Sequence, residues 1–216
     1  MNWDLLDALG SEDRRAVLAR CRARRYHRDE VVFSAGVPGN AVHLVTEGTF
    51  AVQVSTPMGD IATLDVLGPG ETTGEQALIG DESVRSATVV ALEDAQTLQL
   101  LRSDFAALLS NHPDIQSALI RILDARLRRT SQALLEALYL PAEARVLSRL
   151  VRLGRIYAGH AAGSLPITQE QLATMAGTTR PTVNRVLRRA QAEGLVTLGR
   201  GRITVTDPDR LALLVG

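Results

Sequence analysis

Apolar positions change their spacing twice along the chain. Near the N-terminus Leu5, Leu6 and Leu9 recur at helical spacing, and Ser11-Glu12-Asp13 ahead of an apolar run marks a second helix start. The first 25 residues are therefore expected to be short helices. From Asp29 to about Leu101 the pattern becomes short β-branched runs at 31–33, 42–45, 50–54, 61–64, 87–90 and 97–101. Turn residues separate them at Gly36, Pro38-Gly39-Asn40, Gly48, Gly59-Asp60, Gly68-Pro69-Gly70 and Gly80-Asp81. Several short strands at such intervals predict an all-β barrel or sandwich.

Beyond residue 101 the spacing turns helical again. Ser103 opens a short helix over 104–110, which Asn111-His112-Pro113 interrupts. A long helix is expected over about 114–140, where Ile115, Leu119, Ile122, Leu123, Leu127, Leu134 and Leu138 recur every three or four residues. Such a helix spans about 40 Å, more than the width of a small domain. It must connect domains, pair with a copy of itself, or both. Pro141 falls where the helix should stop or bend. The stretch 142–216 contains three further helical segments and two short β runs, 195–198 and 202–205. The expected fold class is α+β: an N-terminal β domain over 1–110, a connecting helix and hinge over 111–141, and a C-terminal domain over 142–216.

Composition adds boundaries to this picture. The 216 residues suit one large or two small domains, and 45% hydrophobic residues suffice for real cores. No stretch reaches 18 apolar residues and the N-terminus has no apolar signal region, so the expected location is the cytoplasm, with no membrane partner. The single cysteine, Cys21, excludes an internal disulfide framework and an all-cysteine metal site. It stands among Arg20, Arg22, Arg24 and Arg25, a setting that lowers a thiol pKa, although no redox role is assigned to it. The net charge of zero hides a split. Residues 1–110 carry 9 Arg against 16 acids, and residues 111–216 carry 15 Arg against 8. A basic half joined to an acidic half suggests two jobs, with nucleic acid the partner of the basic one. All 24 basic residues are Arg, which codon usage in a GC-rich genome explains.

The basic half contains a helix-turn-helix pattern at 167–187. Thr168 with Gln171 forms a capping box, Ala173 is small enough for a close helix crossing, and Gly177 supplies a left-handed turn. Thr179 can cap the second helix, and Pro181 fits its first turn. Val183, Val186 and Leu187 bury one face, leaving Arg180, Thr182, Asn184, Arg185, Arg188 and Arg189 pointing outward. Arginine matches guanine and asparagine matches adenine in the major groove of double-stranded DNA. Thr179 and Arg189 suit phosphate, and Thr168 joins the candidate DNA contacts. A hairpin tip, Gly199-Arg200-Gly201-Arg202, places two cations as a wing against the backbone. With three Phe, three Tyr and one Trp there is no stacking platform for RNA.

The acidic half contains Gly74-Glu75-Gln76-Ala77 and then Arg85-Ser86-Ala87. Gly74 and the small residues after Glu75 admit close backbone approach, Arg85 can grip a phosphate bidentately, and Ser86 can donate a further bond. Glu75 is an acceptor suited to a ribose hydroxyl. No paired carboxylates, activated nucleophile or metal-ligand cluster appear, so the chain is not expected to be an enzyme.

Together these motifs resemble the cAMP receptor protein (CRP/FNR) family of transcription regulators over nearly the full length. The family's phosphate-binding cassette is Gly-Glu and, about ten residues on, Arg-Ser-Ala, matched here by Gly74-Glu75 and Arg85-Ser86-Ala87. The resemblance implies a jelly-roll cyclic-nucleotide domain, a dimer helix and a winged helix-turn-helix. It implies cAMP as effector, with Glu75 on the ribose 2′-OH and Arg85 and Ser86 on the phosphate. It also implies that Thr130 and Ser131, 45 residues beyond Arg85, contact the adenine across a homodimer. The dimer would bind a palindromic operator, and RNA polymerase is an expected partner. The alternative keeps the fold but makes DNA binding constitutive or governed by another effector such as cyclic di-GMP. Iron–sulfur members need about four cysteines, and haem members use Cys and His in the cassette region. Here Glu75 stands there, and His27, His43, His112 and His160 are scattered, so no metal, haem or iron–sulfur cluster is expected. Two departures stand out. The cAMP-binding archetype reads Arg-Glu-Thr where this chain has Arg180-Pro181-Thr182, and Pro141 replaces an acidic cap at the hinge.

Overall fold

A computed structural model describes residues 3–79, 83–157 and 163–214. The expected turn at Gly80-Asp81 and His160 lie outside the described residues. Two compact units divide the chain: Met1–Gln53 with Leu67–Arg129, and Val54–Val66 with Thr130–Gly216.

The first unit begins with α1 (Ser11–Arg20) and β1 (Arg22–Tyr26), then β2 (Val31–Phe33), β3 (Ala41–Glu47) and β4 (Phe50–Ser55). The chain continues through β5 (Ile61–Leu67), β6 (Thr72–Thr73), one turn of helix α2 (Gln76–Ile79), β7 (Thr88–Ala91), β8 (Ala95–Leu101), α3 (Arg102–Asn111) and α4 (Pro113–Tyr139). The strands form two four-stranded sheets, ordered β1-β8-β3-β6 and β2-β7-β4-β5. The six expected β runs are all strands. Of the short helices expected in the first 25 residues, the one starting at Ser11 forms as α1, but the rest is corrected: residues 4–8 form turns, and Arg22–Tyr26 is an edge strand, paired with β8 from Arg22↔Gln99 to Tyr26↔Ala95. Four of its five residues are exposed, so it carries none of the apolar alternation that marks a half-buried strand. Its arginines also make it a poor template for edge-to-edge association.

Alternation along β3 divides the core. Val42 and Leu44 join a cluster with Trp3, Leu5, Leu6, Leu100, Phe105, Leu108, Ile115 and Leu119. Val45 joins another with Phe50, Leu67, Val89, Ala91 and Ala95. The Trp3 indole donates to Val45 O at 2.9 Å, so even the turn-rich N-terminus is anchored. Burying each large side chain contributes about 1.5–3 kcal/mol. α4 has 27 residues and is buried only near its start, at Ile115, Ala118 and Leu119. Farther on, Ile120, Leu127, Leu134 and Leu138 are 59–67% exposed.

In the second unit, α4 ends before Pro141, which is the N-cap of α5 (Ala142–Ile156). Then come β9 (Ser164–Leu165), α6 (Gln169–Ala176), α7 (Arg180–Ala192), β10 (Val196–Gly199), β11 (Arg202–Val205) and α8 (Pro208–Leu213). β9 and α8 add to the expected elements. The sheet order is β10-β11-β9. Val146, Leu150 and Leu153 of α5, Leu172 and Ala173 of α6, and Val183, Val186 and Leu187 of α7 are buried in this unit.

Candidate effector site and nucleic-acid interface

Local backbone chemistry builds the first site. Gly74 follows β6 with φ +88°, a conformation that strains any L side chain. A Cβ there would lie 2.3 Å from Arg85 Nη1 and 3.0 Å from Ala41 O. Gly39 likewise leaves room, since its Cβ would come within 2.4 Å of Ala77 Cβ and 3.4 Å of the Arg85 guanidinium. Arg85 occupies the space so cleared and is 4% exposed. It donates to Gly74 O at 2.7 Å and to Ala41 O at 2.8 Å, and its guanidinium lies 4.0 Å from the centre of the Phe33 ring. Arg85 Nε is buried without a partner. Burial lowers the Arg85 pKa, nearby Glu75 opposes the shift, and Arg102 adds to it.

Glu75 opens the turn into α2 and is fully buried. Its Oε1 accepts from Arg126 Nη1 of α4 at 2.5 Å, while Oε2 is buried with no partner. Arg126 also donates to Thr72 O at 2.8 Å. Arg102 supports the floor, donating to Gly39 O and Ala77 O at 2.8 Å each. Ala77 and Ala87 are buried. Ser86 is exposed and donates to Gln76 Oε1 at 2.8 Å. Gly74, Glu75, Ala77 and Arg85 thus come together around one guanidinium and one carboxylate. Thr130 and Ser131 are exposed residues of α4 and belong to the second unit. The sequence reading missed Gly39, Phe33, Arg102 and Arg126.

The site has the chemistry of a nucleotide's sugar and phosphate. A buried carboxylate oxygen can accept from a hydroxyl, and a buried guanidinium bonded to neutral carbonyls can take an anionic oxygen in their place. Those are the donors and acceptors that a cyclic nucleotide requires.

In the second unit the turn chemistry follows expectation. Thr168 Oγ1 accepts from Gln171 N, Gln171 Oε1 accepts from Thr168 N, and Gly177 is left-handed at φ +58°. Val183, Val186, Leu187 and Ala190 bury one face of α7. Arg180, Arg185, Arg188, Arg189, Arg200 and Arg202 are exposed. Other side chains differ from expectation. Thr179 holds the N-cap position without capping, because its hydroxyl bonds that of Thr182 at 3.1 Å. Asn184 is half-buried and donates to Gln169 Oε1 at 3.0 Å, so α6 uses part of its capacity. Arg189 is held by Glu143 at 2.9 Å and Glu193 at 3.2 Å. The Thr168 hydroxyl is spent on its capping box.

Cys21 is also corrected. Its thiol donates to Val17 O at 3.4 Å, and burial pushes its pKa up to about 11, with Asp104 adding to the rise. The neighbouring arginines, Arg20 at the end of α1 and Arg22, Arg24 and Arg25 on β1, are exposed to solvent. His43 is buried against Thr97, and burial, Arg85 and Arg24 lower it to about 4. Among the described residues no group of three or more His, Cys, Asp or Glu could hold a metal ion, and no helix is long and apolar enough to cross a membrane.

Residues 23–112 match the cyclic nucleotide-binding domain model, and residues 144–214 match the Crp-like helix-turn-helix domain model. A cyclic AMP receptor protein from Thermus thermophilus is 36% identical over 203 residues, covering 94% of this chain and 92% of that protein. This chain belongs to the CRP family of DNA-binding transcription regulators. A CRP-like cAMP-activated global regulator from Mycobacterium tuberculosis is 26% identical, covering 87% of this chain and 85% of that one. Among solved structures, the Thermus thermophilus catabolite activator protein is 34% identical with a TM-score of 0.56, covering 98% of both chains. The c-di-GMP responsive regulator CLP of Xanthomonas campestris is 22% identical with a TM-score of 0.77, covering 91% of this chain and 99% of that one, a likeness of fold. The two matched domains occupy separate stretches of the chain.

Proposed function

We propose that the protein is a homodimeric regulator whose DNA binding responds to cAMP, with Glu75 holding the ribose and Arg85 and Ser86 the phosphate. One observation carries the effector half: Glu75 Oε2 and Arg85 Nε are buried polar atoms without partners. Each such atom costs about 1–3 kcal/mol, so a ligand that satisfies both is favoured. Arg85 gives up its bonds to Gly74 O and Ala41 O for stronger charge-assisted bonds to phosphate. The 36% identity to a cyclic AMP receptor protein supports cAMP. Thr130 and Ser131 take the base. The exposed apolar row on α4, with Ile120, Leu127 and Leu134 at seven-residue intervals, supports pairing of two such helices.

In the DNA half, Arg180, Thr182 and Arg185 read base edges, and Arg188, Arg200 and Arg202 neutralise phosphates. Two α7 helices about 34 Å apart match one turn of a palindromic operator. The effector binds the DNA-competent state better and shifts the population toward it, with 139–142 as the hinge. RNA polymerase is the proposed partner at the promoter, and the cytoplasm the location. A second reading takes as effector cyclic di-GMP, the nucleotide to which the structural neighbour CLP of Xanthomonas campestris responds.

Isothermal titration with cAMP tests the assignment, with cGMP and cyclic di-GMP as controls and Arg85→Leu as the blank. Micromolar cAMP binding that vanishes in Arg85→Leu is the expected result. Full binding by Arg85→Leu refutes the site, and heat with cyclic di-GMP alone establishes the second reading.

A further inference from the structure

Helix α5 carries a row of arginines, Arg145, Arg149 and Arg152, spaced so that they share one face. Arg145 donates through Nε to Ala176 O at 2.9 Å, through Nη2 to Gly177 O at 2.9 Å and through Nη1 to Leu140 O at 2.8 Å. Arg149 donates through Nε to Met175 O at 3.0 Å and pairs through Nη2 with Glu136 at 2.9 Å. Arg152 pairs with Asp65 of β5. Two side chains therefore take three consecutive carbonyls, 175–177, at the C-terminal end of α6. Carbonyls at that end lack partners within their own helix and carry the negative end of its dipole. The far sides of the same guanidiniums reach Glu136 and Leu140, at the end of α4. The Arg149 and Glu136 side chains are only 15% and 11% exposed, so water is a poor substitute for either partner.

The turn at Gly177-Thr178-Thr179 and the start of α7 follow α6 directly. What holds the end of α6 therefore sets the direction of α7. We infer that Arg149, paired with Glu136, is a positioning residue for DNA recognition: with Arg145 it fixes α6, and through it α7, against the end of α4. The inference rests on the reading of α7 as the recognition helix. A helix free to pivot must be ordered when it docks, and one already held avoids that cost. Neither Arg149 nor Glu136 is assigned a DNA contact.

Charge alone and positioning make opposite statements about Glu136. Removing a carboxylate favours DNA electrostatically, whereas removing half of the strut weakens recognition. The probe is a fluorescein-labelled duplex enriched from random inverted repeats by the wild-type protein, read by anisotropy with and without cAMP. Glu136→Gln and Arg149→Gln are each expected to weaken binding about tenfold, and the double variant no more than the weaker single. Because a lone buried charge can prevent folding, Glu136→Leu/Arg149→Met replaces the pair with apolar side chains of similar volume. It is expected to fold, to bind cAMP as the wild type does, and to lose duplex affinity to the same extent. Wild-type or tighter duplex binding by Glu136→Gln, or wild-type binding by the apolar pair, overturns the inference. Arg180→Ala separates the two levels: full affinity there removes the recognition-helix reading and the inference with it. A wild type indifferent to cAMP removes only the effector assignment.

Discussion

Arg126→Leu leaves the fully buried Glu75 carboxylate without its cation. Two facts set the magnitude. The Glu75 side chain is 1% exposed and its second oxygen already lacks a partner, so the charge has no water to turn to. Arg126 is 18% exposed and also loses its bond to Thr72 O, while leucine keeps part of its packing on α4. Removing one partner of a buried ion pair costs about 3–5 kcal/mol, and the partial exposure of Arg126 puts this case near about 3 kcal/mol. Adding Glu75→Gln removes the stranded charge and should restore most of that loss, giving a coupling of about 2 kcal/mol in a double-mutant cycle. The assay is urea unfolding followed by Trp3, the sole tryptophan, which is buried in the same unit. With a urea slope of about 1–3 kcal/mol per molar, the midpoint should fall by about 1–3 M in Arg126→Leu and recover in the double variant. A loss below about 1 kcal/mol, or a double variant no more stable than the single, refutes the claim that Arg126 neutralises Glu75.

Three further outcomes follow from the same geometry. Burial lowers His43 from 6.5 to about 4, so the folded state takes up its proton later than the unfolded chain does. Stability is complete above pH 6.5 and is lost as pH falls toward 4. Trp3-detected unfolding should show about 2 kcal/mol less stability at pH 5 than at pH 7, a difference reduced in His43→Gln; an unchanged difference in that variant refutes the assignment. Gly74→Ala, strained at φ +88° and crowding Arg85, should cost about 1–3 kcal/mol and abolish cAMP heat in calorimetry. Gly59→Ala, at φ +91° with nothing within 4 Å, carries the strain alone and should keep the heat. Cys21, pushed up to about 11, should react slowly with a thiol-specific disulfide reagent at pH 8 and rapidly once unfolded in urea; fast reaction in the native protein refutes its burial.

What the sequence made legible and what it hid divide along physical lines. Elements with a marked apolar pattern in the sequence were readable: β3, β4 and β8 as short apolar runs between turn residues, the long α4 by its helical spacing, and α6 by the Thr168–Gln171 and Gly177 signals that bound it. β1 was not, because Arg-Ala-Arg-Arg-Tyr buries almost nothing and owes its extended form to hydrogen bonds with β8, far along the chain. Glu75 and Arg85 could be singled out because they lie ten residues apart with glycine and alanine around them, the spacing that carries the family resemblance, and the fold brings them together. Arg126 was hidden by distance, 51 residues from Glu75, and by resemblance to Arg121, Arg128 and Arg129 on the same helix. Only the fold says which of four arginines meets a buried carboxylate.

The polar side chains of the helix-turn-helix illustrate the same limit from the other side. Pattern places Thr179 at the N-cap position of α7 and Asn184 and Arg189 on its outward half; Thr179 and Arg189 are exposed, while Asn184 is half-buried. It cannot say whether an outward group is free, since local partners compete with any ligand: Thr182 for Thr179, Gln169 for Asn184, Glu143 and Glu193 for Arg189. Each competing bond subtracts from the affinity gained on binding DNA, by an amount that depends on burial. The exposed Arg189 pairs are weak and exchange readily for phosphate. The half-buried Asn184–Gln169 bond is harder to give up, so in the proposed reading base contacts fall chiefly to Arg180 and Arg185, which, like Arg188, are exposed cations of α7 that no described carboxylate holds.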